Sequence, residues 1–376
     1  MAGIYLHIPF CKQKCTYCDF HFSTTFESYR EKMLESLSKE IELRAPEFQK
    51  DLVETIYFGG GTPSLLTHQE LANLFTVLQE NHIVSPTAEI TLEANPDDIS
   101  IDSLSAWKKL GINRLSIGLQ SFREEDLLWM NRAHSAEEAK TCVQLAQAEG
   151  FDNISVDLIY GLPDLSKTTW INHIQTVIDF GVPHVSAYCL TVEKKTALEK
   201  KVKEGSLVPS DEDQQSDQFL LLVETLRNAG YEQYEISNFC LPGNESRHNS
   251  AYWKGNKYMG IGPSAHSFDG VNRRFNVANN PQYMQLLLAG KPYFETEYLT
   301  PVMRFNEVIL TGLRTKWGVQ LNDLTAILPL SKNFTNQVAQ FEKKGWLRAT
   351  NETILLENDG WLMADYMASE LFESAE

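Results

Sequence analysis

With 376 residues and 43% hydrophobic side chains, the chain is long enough for one large domain and a smaller one, or for two to three ordinary domains. Its formal net charge of -17 at pH 7 has the wrong sign for holding a phosphate backbone or an anionic membrane surface, so nucleic acid is not expected as a partner. No apolar run approaches the ~20 residues of a membrane span, and the apolar start, Met1 to Phe10, has no basic leader region; a cytoplasmic protein is expected, with at most a weak association with a membrane protein.

The first predicted strand, 3–8, runs directly into Cys11-Lys12-Gln13-Lys14-Cys15-Thr16-Tyr17-Cys18-Asp19-Phe20. Three cysteines in C-x3-C-x-Tyr-C spacing can hold three corners of a [4Fe–4S] cluster and leave the fourth iron open, whereas electron-transfer clusters are closed by a fourth cysteine. Structural zinc needs a second pair of ligands, and the other cysteines, Cys142, Cys189 and Cys240, stand alone. Six cysteines in a chain of this length do not make a disulfide framework.

Further short apolar runs at 54–58, 89–93, 114–118, 154–159 and 184–190 alternate with helical patterns at 28–43, 68–79, 101–109, 136–149 and 170–180. This is the rhythm of βα units on a parallel sheet. Six units suit an incomplete (βα) barrel, and a doubly wound open sheet is the alternative. Gly59-Gly60-Gly61-Thr62-Pro63 follows the second strand. Glycines there let backbone approach a ligand closely, and the lysine of a P-loop is absent. Glu93, Gln120 and Asp157 fall at or near strand ends, and Arg132 follows the fourth strand. In a (βα) barrel these loops open on one face, where active sites collect. Acceptors for hydroxyl and amino groups beside an arginine for a carboxylate suit a zwitterionic, ribose-bearing cofactor.

One more helix is expected at 211–228, then a loop-rich stretch at 231–280 dense in Asn, Gly, Tyr and His. It contains Arg247-His248-Asn249-Ser250-Ala251-Tyr252-Trp253, and Gly260-Ile261-Gly262-Pro263-Ser264-Ala265-His266. Imidazole is a common axial haem ligand, and Tyr252 and Trp253 offer flat apolar surface. His266 is a second, weaker candidate. The last residues predict helices at 301–313, 321–328 and 334–344, a hairpin at 346–357 around Thr350-Asn351-Glu352, and a closing helix at 361–371. This is a winged-helix outline. With seven Lys and Arg against ten Asp and Glu from Pro301 onward, it has no basic recognition surface, and a packing or lid role is expected. The expected division is 1–235 for the partial barrel, 236–300 for a segment closing it, and 301–376 for the winged-helix-like unit.

Over essentially its full length the chain resembles the radical S-adenosylmethionine (radical SAM) family of oxygen-independent coproporphyrinogen III oxidases, which includes HemN-type oxidases and HemW-type haem chaperones. The resemblance rests on Tyr5-Leu6-His7-Ile8-Pro9-Phe10-Cys11, on Phe58-Gly59-Gly60-Gly61-Thr62-Pro63, on the polar residues after the strands and on the C-terminal unit. It implies an incomplete (βα)6 radical SAM barrel followed by a small α+β winged-helix-like unit. It implies a [4Fe–4S] cluster on Cys11, Cys15 and Cys18, and SAM among Tyr5, Gly60, Gly61, Thr62, Glu93, Gln120, Arg132 and Asp157. HemN-type oxidases carry a fourth cysteine where this chain has Phe20, and an extension before the first strand, near which this chain begins. Both departures resemble the chaperone type, as does His248-Asn249-x-x-Tyr252-Trp253. The expected function is therefore haem binding through His248, Tyr252 and Trp253 and delivery to an acceptor such as a respiratory enzyme. A one-electron donor such as flavodoxin or ferredoxin is the implied partner of the cluster. Oxidative decarboxylation of coproporphyrinogen III is the alternative.

Overall fold

The structure, a computed structural model, describes residues 2–48 and 51–374. The N-terminal part alternates β1 (Ala2–Ile8), α1 (Arg30–Arg44), β2 (Val53–Gly60), α2 (His68–Asn81), β3 (Val84–Ala94), α3 (Ile101–Lys109), β4 (Arg114–Gln120), α4 (Glu124–Trp129), α5 (Ala136–Ala148), β5 (Ile154–Tyr160), α6 (Lys167–Phe180) and β6 (His184–Cys189). Two helices, α7 (Ala197–Lys203) and α8 (Glu212–Asn228), follow. Then come β7 (Glu232–Glu235), β8 (Asn238–Cys240), α9 (Arg247–Trp253), β9 (Lys257–Ile261), β10 (His266–Phe268), β11 (Asn272–Asn276), α10 (Asn280–Leu288) and β12 (Phe294–Tyr298). The chain ends with α11 (Pro301–Leu313), β13 (Val319–Gln320), α12 (Leu321–Ile327), α13 (Lys332–Lys343), β14 (Leu347–Ala349), β15 (Thr353–Leu356) and α14 (Ala364–Leu371).

Strand order separates the two architectures that the sequence leaves open. A doubly wound sheet reverses direction at a switch point. Here β1 to β6 lie side by side in chain order, each parallel to the next, as in a barrel wall. The wall stays open because β6 and β1 do not pair. Instead β9 runs parallel to β1, and β8 antiparallel to β6. Alternate residues of each strand face opposite sides. Ile4, Leu6, Phe58, Leu92, Ile117, Val156 and Val185 enter the apolar layer under the helices, while Tyr57, Glu93, Ser116, Asp157 and Ser186 all reach one interior cleft. Capping boxes at Thr67, Ser100 and Ser135 start α2, α3 and α5 within the short loops this leaves.

The stretch 231–280 differs from the expected loop. It folds into β7 to β11 with α9 between them, extending both edges of the sheet. Strands of three to five residues are too short to show a period of two, and their pairing with the barrel edges replaces that signal. The C-terminal unit packs its own core, including Phe305, Leu313, Phe334, Phe341 and Met367, over the antiparallel sheet β13-β15-β14. It joins the β7 edge through Ile236 N–H to the Arg314 carbonyl (3.1 Å) and Lys316 N–H to the Tyr234 carbonyl (2.9 Å).

One buried acid locks the β9 edge to the barrel. Glu40 of α1 is fully buried, and accepts from Tyr283 Oη (2.6 Å), Gly262 N (2.8 Å) and Asn276 Nδ2 (2.8 Å) beside Arg44. Removing one partner of a buried, hydrogen-bonded ion pair costs roughly 3–5 kcal/mol. Denaturant unfolding of Glu40→Ala is therefore expected to show a loss of about that size; a loss below about 1 kcal/mol, the level of a surface ion pair, would show that the network does not hold this edge.

Candidate cofactor site

The cysteine loop leaves the sheet where the β1–β2 ladder ends, at the pair Ile8 and Gly60. Two bonds continue the pairing: Gly61 N–H to the Ile8 carbonyl (2.9 Å) and Thr62 N–H to the Phe10 carbonyl (2.6 Å). Gly60 has φ +104°, and a Cβ there would lie 2.4 Å from the His7 ring; at Gly61 one would lie 2.6 Å from the Phe10 carbonyl. The glycines thus serve the cysteine loop directly, beyond any role toward a ligand. Other anchors come from Asn131 Nδ2 to the Lys14 carbonyl (2.8 Å), Thr16 N–H to the Met130 carbonyl (3.0 Å), and Lys12 to Asp97 (2.7 Å).

Cys11, Cys15 and Cys18 are half-buried and line one cleft of about 420 Å³. Burial pushes the Cys11 thiol up to about 12 and Cys18 to about 11. Thr62 Oγ1 lies 3.5 Å from Cys11 Sγ, and Arg132 Nη1 3.5 Å from Cys15 Sγ. Among the described residues no three His, Cys, Asp or Glu side chains converge closely enough for a single metal ion. A spread triad of thiols suits a multi-iron cluster. Phe20 stands 69% exposed in the lining of the same cleft.

Glu93, at the end of β3, accepts from Tyr57 Oη (2.8 Å) and Gly60 N (3.1 Å), yet burial raises its carboxyl to about 7. Asp157 on β5 has only a 3.4 Å contact from Ser116 Oγ; burial and then Glu93 raise it to about 7. Arg132 Nη2 donates to Asn95 Oδ1 (2.7 Å) and the Gly118 carbonyl (2.8 Å), while its buried Nε has no partner. Gln120 follows an irregularity in β4 and has φ +68°. A non-glycine residue held there costs of order 1–3 kcal/mol, a strain found at ligand sites. Under-satisfied carboxyls, an orphaned guanidinium N–H and backbone opened by glycine together fit a zwitterionic ribose cofactor beside a cluster.

Seven of the eight residues expected around that cofactor line the cleft. Tyr5 does not: its hydroxyl shares a hydrogen bond with His7 Nδ1 (3.2 Å), and its ring packs behind Tyr57. His248 also departs from its expected place. It is 1% exposed; Nδ1 is bonded to Thr55 Oγ1 (2.8 Å), Nε2 to Tyr252 Oη (2.7 Å), and its ring stacks on Tyr57 at 5.1 Å. Burial holds it down at about 3. Neither ring nitrogen is presented to a cavity, so the axial ligand expected from the sequence is a structural histidine here. His266 is exposed on β10 and lines neither large cavity. Tyr252 and Trp253 do reach a cavity, a second one of about 800 Å³ between α9 and the C-terminal unit. Tyr57, Asn95 and Arg114 join the first cleft without having been singled out from the sequence. Tyr57 and Asn95 were legible in principle, each two residues from a neighbour on the same face: Tyr57 from Thr55 and Asn95 from Glu93.

The radical SAM superfamily pattern matches residues 5–177. The heme chaperone HemW of Mycobacterium tuberculosis is 37% identical over 328 residues, 86% of this chain and 84% of the relative. That of Bacillus subtilis is 32% identical over 372 residues, 97% of each. The structure of the coproporphyrinogen III oxidase HemN from Escherichia coli superposes with a TM-score of 0.87 over 99% of this chain and 90% of that one, at 23% identity, and so shares the fold.

The raised Glu93 carboxyl has a consequence for stability. Between about 4.5 and about 7 the folded chain keeps a proton that the unfolded chain releases, so stability is lost as pH rises through that window. Buried neutral histidines such as His134, held at about 4, act in the opposite sense, so the comparison must be between variants. Thermal melts of the cofactor-free protein are expected to show Glu93→Gln gaining on the unmutated chain as pH goes from about 4.5 to 7. Parallel curves would show that Glu93 titrates normally.

Proposed function

The chain belongs to the HemW family of radical SAM proteins, and from that membership we propose that it is a cluster-bearing haem-binding protein that delivers haem to acceptor proteins in the cytoplasm. Cys11, Cys15 and Cys18 would ligate three irons of a [4Fe–4S] cluster. SAM would lie in the first cleft against the backbone of Gly60 and Gly61 and against Thr62, Glu93, Gln120, Arg132 and Asp157. When bound, the cluster and SAM supply one-electron cleavage of SAM. Arg132 would take its carboxylate through the buried Nε, which has no partner among the described residues, and Glu93 and Asp157 would accept from its amino and hydroxyl groups. Tyr5 acts on the cleft through the ring of Tyr57.

Phe20 carries the choice between chaperone and oxidase. It stands at the cleft mouth, at the position of the fourth cysteine of HemN-type oxidases, and a phenyl ring can neither ligate iron nor exchange a proton or hydrogen atom there as a thiol does. Tyr252 and Trp253 would contact haem, with His248 orienting Tyr252 through their 2.7 Å hydrogen bond. A flavodoxin or ferredoxin is the class of electron donor this implies, and a respiratory enzyme the class of acceptor. Among the described residues no helix is long and apolar enough to cross a membrane, so contact with a membrane acceptor would be peripheral.

Anaerobic reconstitution followed by haem titration tests this directly. The unmutated protein is expected to give a stoichiometric Soret shift, and Cys11→Ala, Cys15→Ala or Cys18→Ala to lose the cluster absorbance. With SAM, a reductant and coproporphyrinogen III it is expected to form no decarboxylated porphyrin. Absence of the Soret shift, or catalytic formation of that porphyrin, would reverse the assignment.

A further inference from the structure

The cavity of about 800 Å³ between α9 and the C-terminal unit is at the upper end of the range for small-molecule sites. Tyr252 and Trp253 form one wall, with Phe268 beside them, and Trp317 of the C-terminal unit faces them. In a chain of net charge -17, its lining carries Lys254, Arg273, Arg304 and Arg314 beside Glu235, Glu307 and Asp323. Arg273 and Arg314 in its lining are neutralised by Glu307 and Asp365. The Arg304 side chain has no hydrogen bond or ion pair among the described residues, and Lys254 lies over the Trp317 ring at 4.0 Å. Flat aromatic walls with an unneutralised arginine at the edge fit a planar macrocycle that carries carboxylates.

Resting on the haem-binding reading above, we propose that haem lies in this cavity between α9 and the C-terminal unit, with a propionate on Arg304 and its iron ligated by Tyr258. The iron ligand follows by elimination. Protein ligands to haem iron are His, Cys, Met or Tyr, and of these only tyrosines line the cavity among the described residues. Tyr252 Oη is held by His248. Tyr188 lies close to Ser186 and Asn238 and also lines the first cleft. Tyr258 has no hydrogen bond to its hydroxyl among the described residues; burial raises its phenol against the weaker pull of Arg273, so its proton leaves only when a cation such as ferric iron takes its place. On binding ferric haem the iron–oxygen bond forms, the phenol O–H bond breaks, and the proton leaves to solvent through the open cavity. The iron stays ferric.

Ferric haem titrated into the cluster-reconstituted full chain separates the outcomes. Arg304→Glu and Trp317→Ala are each expected to weaken binding at least about tenfold, and Arg304→Lys to retain most of it. Tyr258→Phe is expected to abolish the phenolate-to-iron charge-transfer absorption and the tyrosinate bands in resonance Raman. Iron content, cluster absorbance and melting temperature identify any variant that fails to fold. Stoichiometric binding that none of these variants alters, or a spectrum of imidazole ligation lost in His248→Ala, overturns the site while leaving haem binding intact. No stoichiometric binding by the unmutated chain overturns the functional reading itself.

Discussion

Two backbone hydrogen bonds, from Gly61 to Ile8 and from Thr62 to Phe10, set the position of the cysteine loop in the cofactor cleft. They carry the β1–β2 ladder past the ends of both strands, so the cysteine loop is held by sheet pairing before any metal is present. The price is paid in side chains: at Gly60 a methyl group would collide with His7, whose own Nε2 is bonded to the His21 carbonyl (2.7 Å) on the far side of the cysteine loop. A bulkier residue at Gly60 would therefore disturb both ends of that loop through one imidazole. A site built this way is preorganised, and cluster binding need not order the loop from scratch.

Within that frame the cleft is electrostatically incomplete. Glu93 and Asp157 sit deep enough that burial outweighs their hydrogen bonds and favours the neutral acids. Arg132 is positioned by Asn95 and Gly118, but one of its buried N–H groups is left over. Such groups cost folding energy when unpaired. A ligand that brings an ammonium, hydroxyls and a carboxylate satisfies all three at once, and its binding energy draws on the instability of the empty site. The strained backbone at Gln120 belongs to the same pattern.

The sequence was most legible where local and tertiary preferences agree. The six barrel strands alternate apolar and interior positions, and most are set off by capped helices or glycine turns, so their existence could be read directly, while their order in the sheet, which separates a barrel from a doubly wound sheet, could not. The edge strands β7 to β11 could not, because they have few residues each and are defined by partners far away in sequence. Side-chain direction was the other blind spot. Tyr5 shares the interior face of the sheet with Tyr57, yet its hydroxyl is taken up by His7 and its ring lies outside the cleft lining, and motif spacing on α9 does not reveal that both nitrogens of His248 are already occupied.

His248 links the linings of the two cavities, which adjoin at Tyr188, Asn238 and Asn249. Glu93 holds Tyr57 by a 2.8 Å bond, Tyr57 stacks on His248, and His248 holds Tyr252, whose ring faces the second cavity. The link is a row of three rings with its polar atoms bonded along its length. A row of that kind resists rearrangement, since shifting any ring strands a buried hydrogen-bonding group. It also gives the histidine of the H-N-x-x-Y-W segment a structural reason to be there: it fixes Tyr252 from behind.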